Sequence, residues 1–247
     1  MLTYNANMLS VEQAVYTSSE RGLTKGYQLV SKSAGIDGTM SQELCRWAPT
    51  RLPNESAEDW TLSCFRVSNE CVAIARTTHG GPEYSGRGGT QVVTLILVLR
   101  DVQLEGYGFN VVSVARNSLA MGCLRLPLNL EFDQLPLASL PKRSIVDNVD
   151  RASDAITSDE YEEALDKIVS MVEAGRRVAV IGCVKAIVTA DRLIGRMSST
   201  ARHRFSFTTG LEPSTRRPFQ AHFFREVDLR TRHSLQSQDI FCVNMPL

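Results

Sequence analysis

Residues 91–100 read QVVTLILVLR, and the reading of this run decides the fold. From Val92 to Leu99 it is continuously apolar apart from Thr94, with the length and composition of a strand covered on both faces. Such a strand offers water no polar side, so it is expected in the middle of a sheet.

Directly before it lies His79–Thr90, HGGPEYSGRGGT. Gly81 and Gly86 have the four-residue gap of a phosphate-binding loop, but Arg87-Gly88 stands where that loop needs lysine and a magnesium-binding hydroxyl. A phosphate loop also opens a helix, whose amide dipoles face the ligand, whereas this one runs into a strand. The segment therefore reads as a glycine-rich connection between strands, with Arg87 fixing the loop through hydrogen bonds. His79, Glu83, Tyr84 and Arg87 at its mouth are the candidate binding set, and they serve equally well as residues that order the loop.

Working outward, Trp60–Thr78 contains two β-branched or aromatic runs separated by Ser68-Asn69-Glu70, as a hairpin would. VEQAVYTSS and KGYQLVSKSAG read as two further strands joined by a turn. SQELCRWA between them and the hairpin reads as a short helix capped by Ser41. Downstream, Val111, Val114, Ala115, Leu119 and Ala120 have helical spacing and stop at Gly122. The stretch from Pro127 to about Ala155 is polar and carries Pro136 and Pro141, so it reads as a connection or an edge segment.

The next helix has a capping-box pattern at Thr157 and Glu160, an apolar face of Tyr161, Leu165, Ile168, Val169 and Val172, and a stop at Gly175. RRVAVIG is a short buried strand. Its single glycine lacks the companions of a dinucleotide fingerprint, which leaves a plain strand-to-helix turn. A helix follows with Ile187, Ala190, Leu193, Ile194 and Met197 inward. RHRFSFTTG and PFQAHFFREV then read as two antiparallel strands with a longer loop between them. The order of elements predicts an α+β or mixed α/β fold, sheet-centred with several packed helices. A strand-rich subdomain over 1–126, a connection over 127–155 and a helix-strand-helix-strands subdomain over 156–247 are expected, or one continuous domain over 1–247.

The 247 residues suffice for a substantial core, and 27 basic against 27 acidic residues leave no global bias towards polyanions. No secretory leader and no spanning apolar window are found, so a cytoplasmic protein is expected. Six scattered cysteines form no C-x-x-C pair and read as core thiols; no metal or other cofactor is expected. Arg202, Arg204, Arg216, Arg217, Arg225, Arg230 and Arg232 make the last fifth basic. Asp147, Asp150, Asp154, Asp159, Glu160, Glu162 and Glu163 make the preceding segment acidic, and the two either pair within the fold or recognise a partner. Phe205 and Phe207 alternate with Ser206 and so share a face, the pattern of a core more than of a base-stacking surface.

Three stretches together resemble the type-two N-terminal domain of bacterial GTPase-associated proteins: Tyr16–Ile36, Ala75–Leu99 and Ala201–Pro213. The matching residues are Gly26, Tyr27, Gly86, Arg87, Gly89, Arg204, Phe205, Ser206, Phe207 and Thr209. Thr90-Gln91-Val92 stands where the family pattern often carries a histidine. The resemblance implies a noncatalytic adaptor that works through protein partners, a GTPase or other domains of a larger conflict or signalling system, with those residues structural or at an interface. It carries no catalytic set; from the balanced charge and the missing apolar span, neither a membrane nor a nucleic acid is the expected partner. The alternative is a sensor or enzyme that takes a small phosphorylated ligand at residues 79–90.

Overall fold

The computed structural model describes residues 7–20, 25–52, 60–82, 90–126, 134–143 and 158–246. The chain forms β1 (Met8–Ser19), β2 (Gly26–Lys32), α1 (Gly38–Trp47), β3 (Trp60–Arg66), β4 (Cys71–Pro82) and β5 (Thr90–Arg100). These are followed by the single turn α2 (Asp101–Leu104), a 3-10 turn at Glu105–Tyr107, α3 (Val111–Ala120) and β6 (Ala138–Pro141). The remainder is α4 (Asp159–Glu173), β7 (Arg177–Ile181), α5 (Ala186–Arg196), α6 (Ser199–Arg204), β8 (Phe207–Thr209), β9 (Ala221–Phe224), α7 (Leu229–Ser237) and β10 (Ile240–Asn244).

All ten strands join one mixed sheet in the order β10-β7-β9-β8-β3-β4-β5-β1-β2, with β6 beside the first residues of β1. Its centre is built as the apolar run demands. Val93, Leu95, Leu97 and Leu99 of β5 enter the core beneath α3, α4 and α5, while Val92, Ile96 and Val98 enter a second core beneath α1. Alternation with period two thus places successive side chains in different cores. Helices α4 and α5 bury the faces expected of them, with Leu165, Ile168, Val169 and Val172 on one and Ala190, Leu193 and Ile194 on the other. Gly122 and Gly175 both take left-handed conformations after their helices, at φ of 82° and 76°.

Five expectations are corrected. Strands β8 and β9 pair in parallel, Phe207 against Ala221, not as an antiparallel hairpin. The chain between them crosses over the sheet and buries Leu211 and Phe219 in the α1-side core, and that burial makes a crossover of so short a loop worthwhile. Residues 201–204 belong to α6, not to a strand: Ser198 caps the helix by accepting from the Ala201 N–H, and one turn of Arg and His is satisfied without an apolar face. Asp37, not Ser41, caps α1, because its carboxylate accepts the Met40 N–H at 2.8 Å. The cap of α4 is Ser158, accepting from the Tyr161 N–H, while Thr157 lies outside the described residues. The core-thiol reading holds for Cys64, Cys71 and Cys183, but Cys45 and Cys242 are exposed.

Candidate functional site

Of the four candidate residues on the glycine-rich loop, His79 is described; Glu83, Tyr84 and Arg87, with Gly86 and Gly89, lie outside the described residues. His79 is exposed on β4 opposite Val92, just before the register shifts. A side chain at Gly80 would collide with Val93, and Gly81 sits at φ of 106°, so both glycines are required by shape. Gly26 opens β2 at φ of 127°. The Tyr27 hydroxyl accepts the Val92 N–H at 3.1 Å, and its ring stacks on Tyr16 with centroids 5.9 Å apart. Tyr27 thus ties the second strand to the start of the central one.

The register assembles a line of polar side chains inside the α1-side core. Thr61 on β3 lies opposite Thr77 on β4, Thr77 opposite Thr94 on β5, and Thr94 opposite Tyr16 on β1. The three threonines are fully buried. The hydroxyls of Thr77 and Thr94 are bonded at 3.0 Å, but among the described residues Thr61 Oγ1 has no partner. Gly210 abuts this end, since a Cβ there would lie 3.3 Å from Thr61 Cγ2. The adjoining row contains Ser63 and Thr208, bonded at 2.9 Å, and then His222, whose Nδ1 lies 3.3 Å from the Leu211 carbonyl oxygen.

Both titratable groups in this region are held neutral. Burial, with Cys45 and Tyr27 as neighbours, pushes the Tyr16 phenol up to about 12 against the pull of Arg217. Burial lowers His222 to about 4, aided by the charges of Arg177 and Arg217 and opposed by the Leu211 carbonyl. His222 therefore behaves as a polar core residue, edge-on to Phe219 and stacked on Phe224. Nothing marked this line in the sequence. Threonines of like parity in separate strands were visible, but their alignment depends on pairing between distant segments.

A second polar cluster joins β3, α2 and α6. Arg66 donates to both Asp101 oxygens at 2.9 Å, and His203 Nε2 lies 2.7 Å from Oδ2. Arg66 also reaches the carbonyls of Ser68, Asn69 and His203. Burial opposes the Asp101 charge, yet the hydrogen bonds and charges of Arg66 and His203 outweigh it and hold the carboxyl below its ordinary range. A histidine on a carboxylate is the arrangement of a general base, but among the described residues no serine, threonine or cysteine is hydrogen-bonded to His203. What the cluster does is fasten α6 to the end of the central strands.

The family-matching residues from the end of α6 onward divide by role. Arg204 is exposed, while Phe205 and Phe207 are buried with rings stacked at 5.5 Å, in the core and not on a surface for bases. Ser206 brackets Gln220, whose N–H lies 3.0 Å from its carbonyl oxygen and 3.1 Å from its hydroxyl. Thr209 accepts the Leu62 N–H at 2.9 Å. Glu162 of the acidic segment pairs with Arg192 and Arg196 of α5, and Arg196 also with Asp166, so its partners are not the arginines of the last fifth of the chain. Among the described residues no three His, Cys, Asp or Glu side chains converge as metal ligands.

The strands carrying Tyr16, Tyr27, the threonine line and the glycine-rich loop fall within one recognisable unit. Residues 10–129 match the family GTPase-associated protein 1, N-terminal domain type 2. The first two stretches noted in the sequence, Tyr16–Ile36 and Ala75–Leu99, lie inside that span; Ala201–Pro213 lies outside it. No curated protein matches the chain. The matched span supplies β1 to β5 and α1 to α3, and the later segment completes the same sheet through β8 against β3. Among the described residues no helix is long and apolar enough to cross a membrane.

Proposed function

We propose that the chain is a noncatalytic adaptor of a bacterial GTPase-centred conflict or signalling system, acting in the cytoplasm through contacts with protein partners. The observation that carries this reading is the match of residues 10–129 to a GTPase-associated family. The polar groups support it, because Asp101, His203 and His222 are each engaged in holding the fold. In this reading 1–126 forms the family-bearing part, 127–155 the connection and 156–247 a second part that extends the sheet. The test is co-elution of the purified chain with the GTPase encoded beside its gene. A stable complex supports the adaptor; a genomic neighbourhood without any GTPase, or separate elution at micromolar concentrations, refutes it.

The second reading, a small phosphorylated ligand held at residues 79–90, is favoured by the exposed His79 at the loop's start. A ligand that binds only the folded state raises its melting temperature. A screen of nucleotides and sugar phosphates without any such rise would remove it.

A further inference from the structure

Among the described residues the half-buried arginines are, with one exception, satisfied. Arg66 and Arg116 grip Asp101 and Asp191, Arg192 and Arg196 grip Glu162, and Arg202 reaches the Met197 and Gly195 carbonyls. Arg76 has an orphaned Nε, but its Nη1 donates to the Leu124 carbonyl at 2.9 Å and its plane lies over Trp60. Arg217 is different. Its Nε is shut away from solvent, and among the described residues its guanidinium has neither a hydrogen-bond acceptor nor an ion-pair partner. Guanidinium groups withdrawn from water are ordinarily paired, because an uncompensated charge there is costly.

The backbone around Arg217 is fixed. Its N–H donates to the Ser214 carbonyl at 3.0 Å and its own carbonyl accepts from Phe219 at 2.8 Å. Phe219 is fully buried and edge-on to Trp47 and Phe65, so the crossover loop is anchored immediately behind the arginine. Tyr16, Glu212, Arg216 and His222 lie within electrostatic range of Arg217. Tyr16 and His222 are neutral, and Glu212 is exposed without reaching the guanidinium, so Arg216 and Arg217 leave the locality cationic. The Tyr16 hydroxyl, retaining its proton, is available only as a neutral polar group.

We propose that Arg217 is the receptor for a carboxylate of a partner polypeptide, held end-on by the fork of its two Nη groups beside Tyr16. A planar carboxylate matches the planar fork with two parallel hydrogen bonds, and its single charge matches the local excess better than a phosphate dianion does. An anchored loop presents the fork without a further ordering cost on binding. The identification of the ligand as part of a protein rests on the adaptor reading. The carboxylate chemistry does not, so the two can fail separately.

The test follows the Arg217 Nε–H resonance of the whole protein by NMR. The titrants are an acetylated glycine peptide with a central aspartate and a C-terminal amide, an acetylated glycine peptide with a free C-terminus, inorganic phosphate, and sodium chloride at matched ionic strength. A saturable shift with either peptide is expected, together with saturable shifts of the Tyr16 and Phe219 backbone amides that are lost in Arg217→Met, and which peptide acts assigns the source to a side chain or a chain end. The Met variant should melt at or above the wild-type temperature, because it removes an unpaired charge while keeping the aliphatic stem. The proposal is overturned by no saturable shift, by an equal response to chloride, or by a response to phosphate alone. A Met variant that melts below wild type also overturns it, since the guanidinium would then already have its partner within the fold.

Discussion

Replacing Asp101 by alanine tests the claim that the Arg66–Asp101–His203 cluster fastens α6 to the sheet. The side chains of Arg66 and Asp101 are 21% and 22% exposed, which places the pair between a surface bridge worth less than about 1 kcal/mol and a buried one whose breakage costs about 3 to 5. Arg66 keeps three carbonyl acceptors after the change, so it is not left bare. The expected loss is therefore about 2 to 3 kcal/mol at pH 7. That corresponds to roughly 5 to 10 °C in melting temperature for a chain of this size. Urea unfolding gives the difference directly. Because the Asp101 carboxyl titrates lower in the folded state than in the unfolded chain, its contribution is complete above the ordinary carboxylate value near pH 4 and disappears as pH falls through the folded value. The gap between wild type and variant should close as the pH falls through that folded value. A melting difference within a degree at pH 7, or a gap that persists in acid, would refute the assignment.

Three further outcomes are expected. His222 is depressed to about 4 by burial, so folding stability should fall as pH drops from about 6.5 to about 4, by ~3 kcal/mol, and His222→Leu should lose that slope in pH-dependent urea titrations. Thr61→Val removes an orphaned buried hydroxyl from a site of unchanged shape and should stabilise by about 1 kcal/mol in the same assay; a loss of similar size would mean that the hydroxyl is satisfied. Phe219→Ala, which empties the contact with Trp47 and Phe65, should cost about 3 to 5 kcal/mol by thermal or chemical unfolding.

What the sequence disclosed follows from where its signals are local. The central strand was legible because apolar residues on both parities mean burial on both faces, and α4 and α5 because a stripe at helical spacing has one interpretation. Helix α6 spans six residues, too short to display a period, and α7 buries only Leu235, so neither had an apolar face to read. The direction of β9 against β8 was not local information. A glycine- and proline-bearing loop of that length serves a hairpin or a crossover equally, and the burial of Leu211 and Phe219 against α1 decides it. The candidate sites divide in the same way. Gly80, Gly81 and Tyr27 were marked by motif, whereas the threonine line emerges only when four separate strands are set in register and Arg217 only when the crossover loop is laid against β1.

The most direct test of the adaptor account is a calorimetric titration of the purified chain into any GTPase found encoded beside it, loaded in turn with GDP and a non-hydrolysable GTP analogue. The account predicts saturable one-to-one binding, with a Kd of about 10 μM or tighter, for at least one nucleotide state. It also predicts no nucleotide hydrolysis by the chain alone. Heats indistinguishable from dilution in both states, or hydrolysis by the isolated chain, would contradict it.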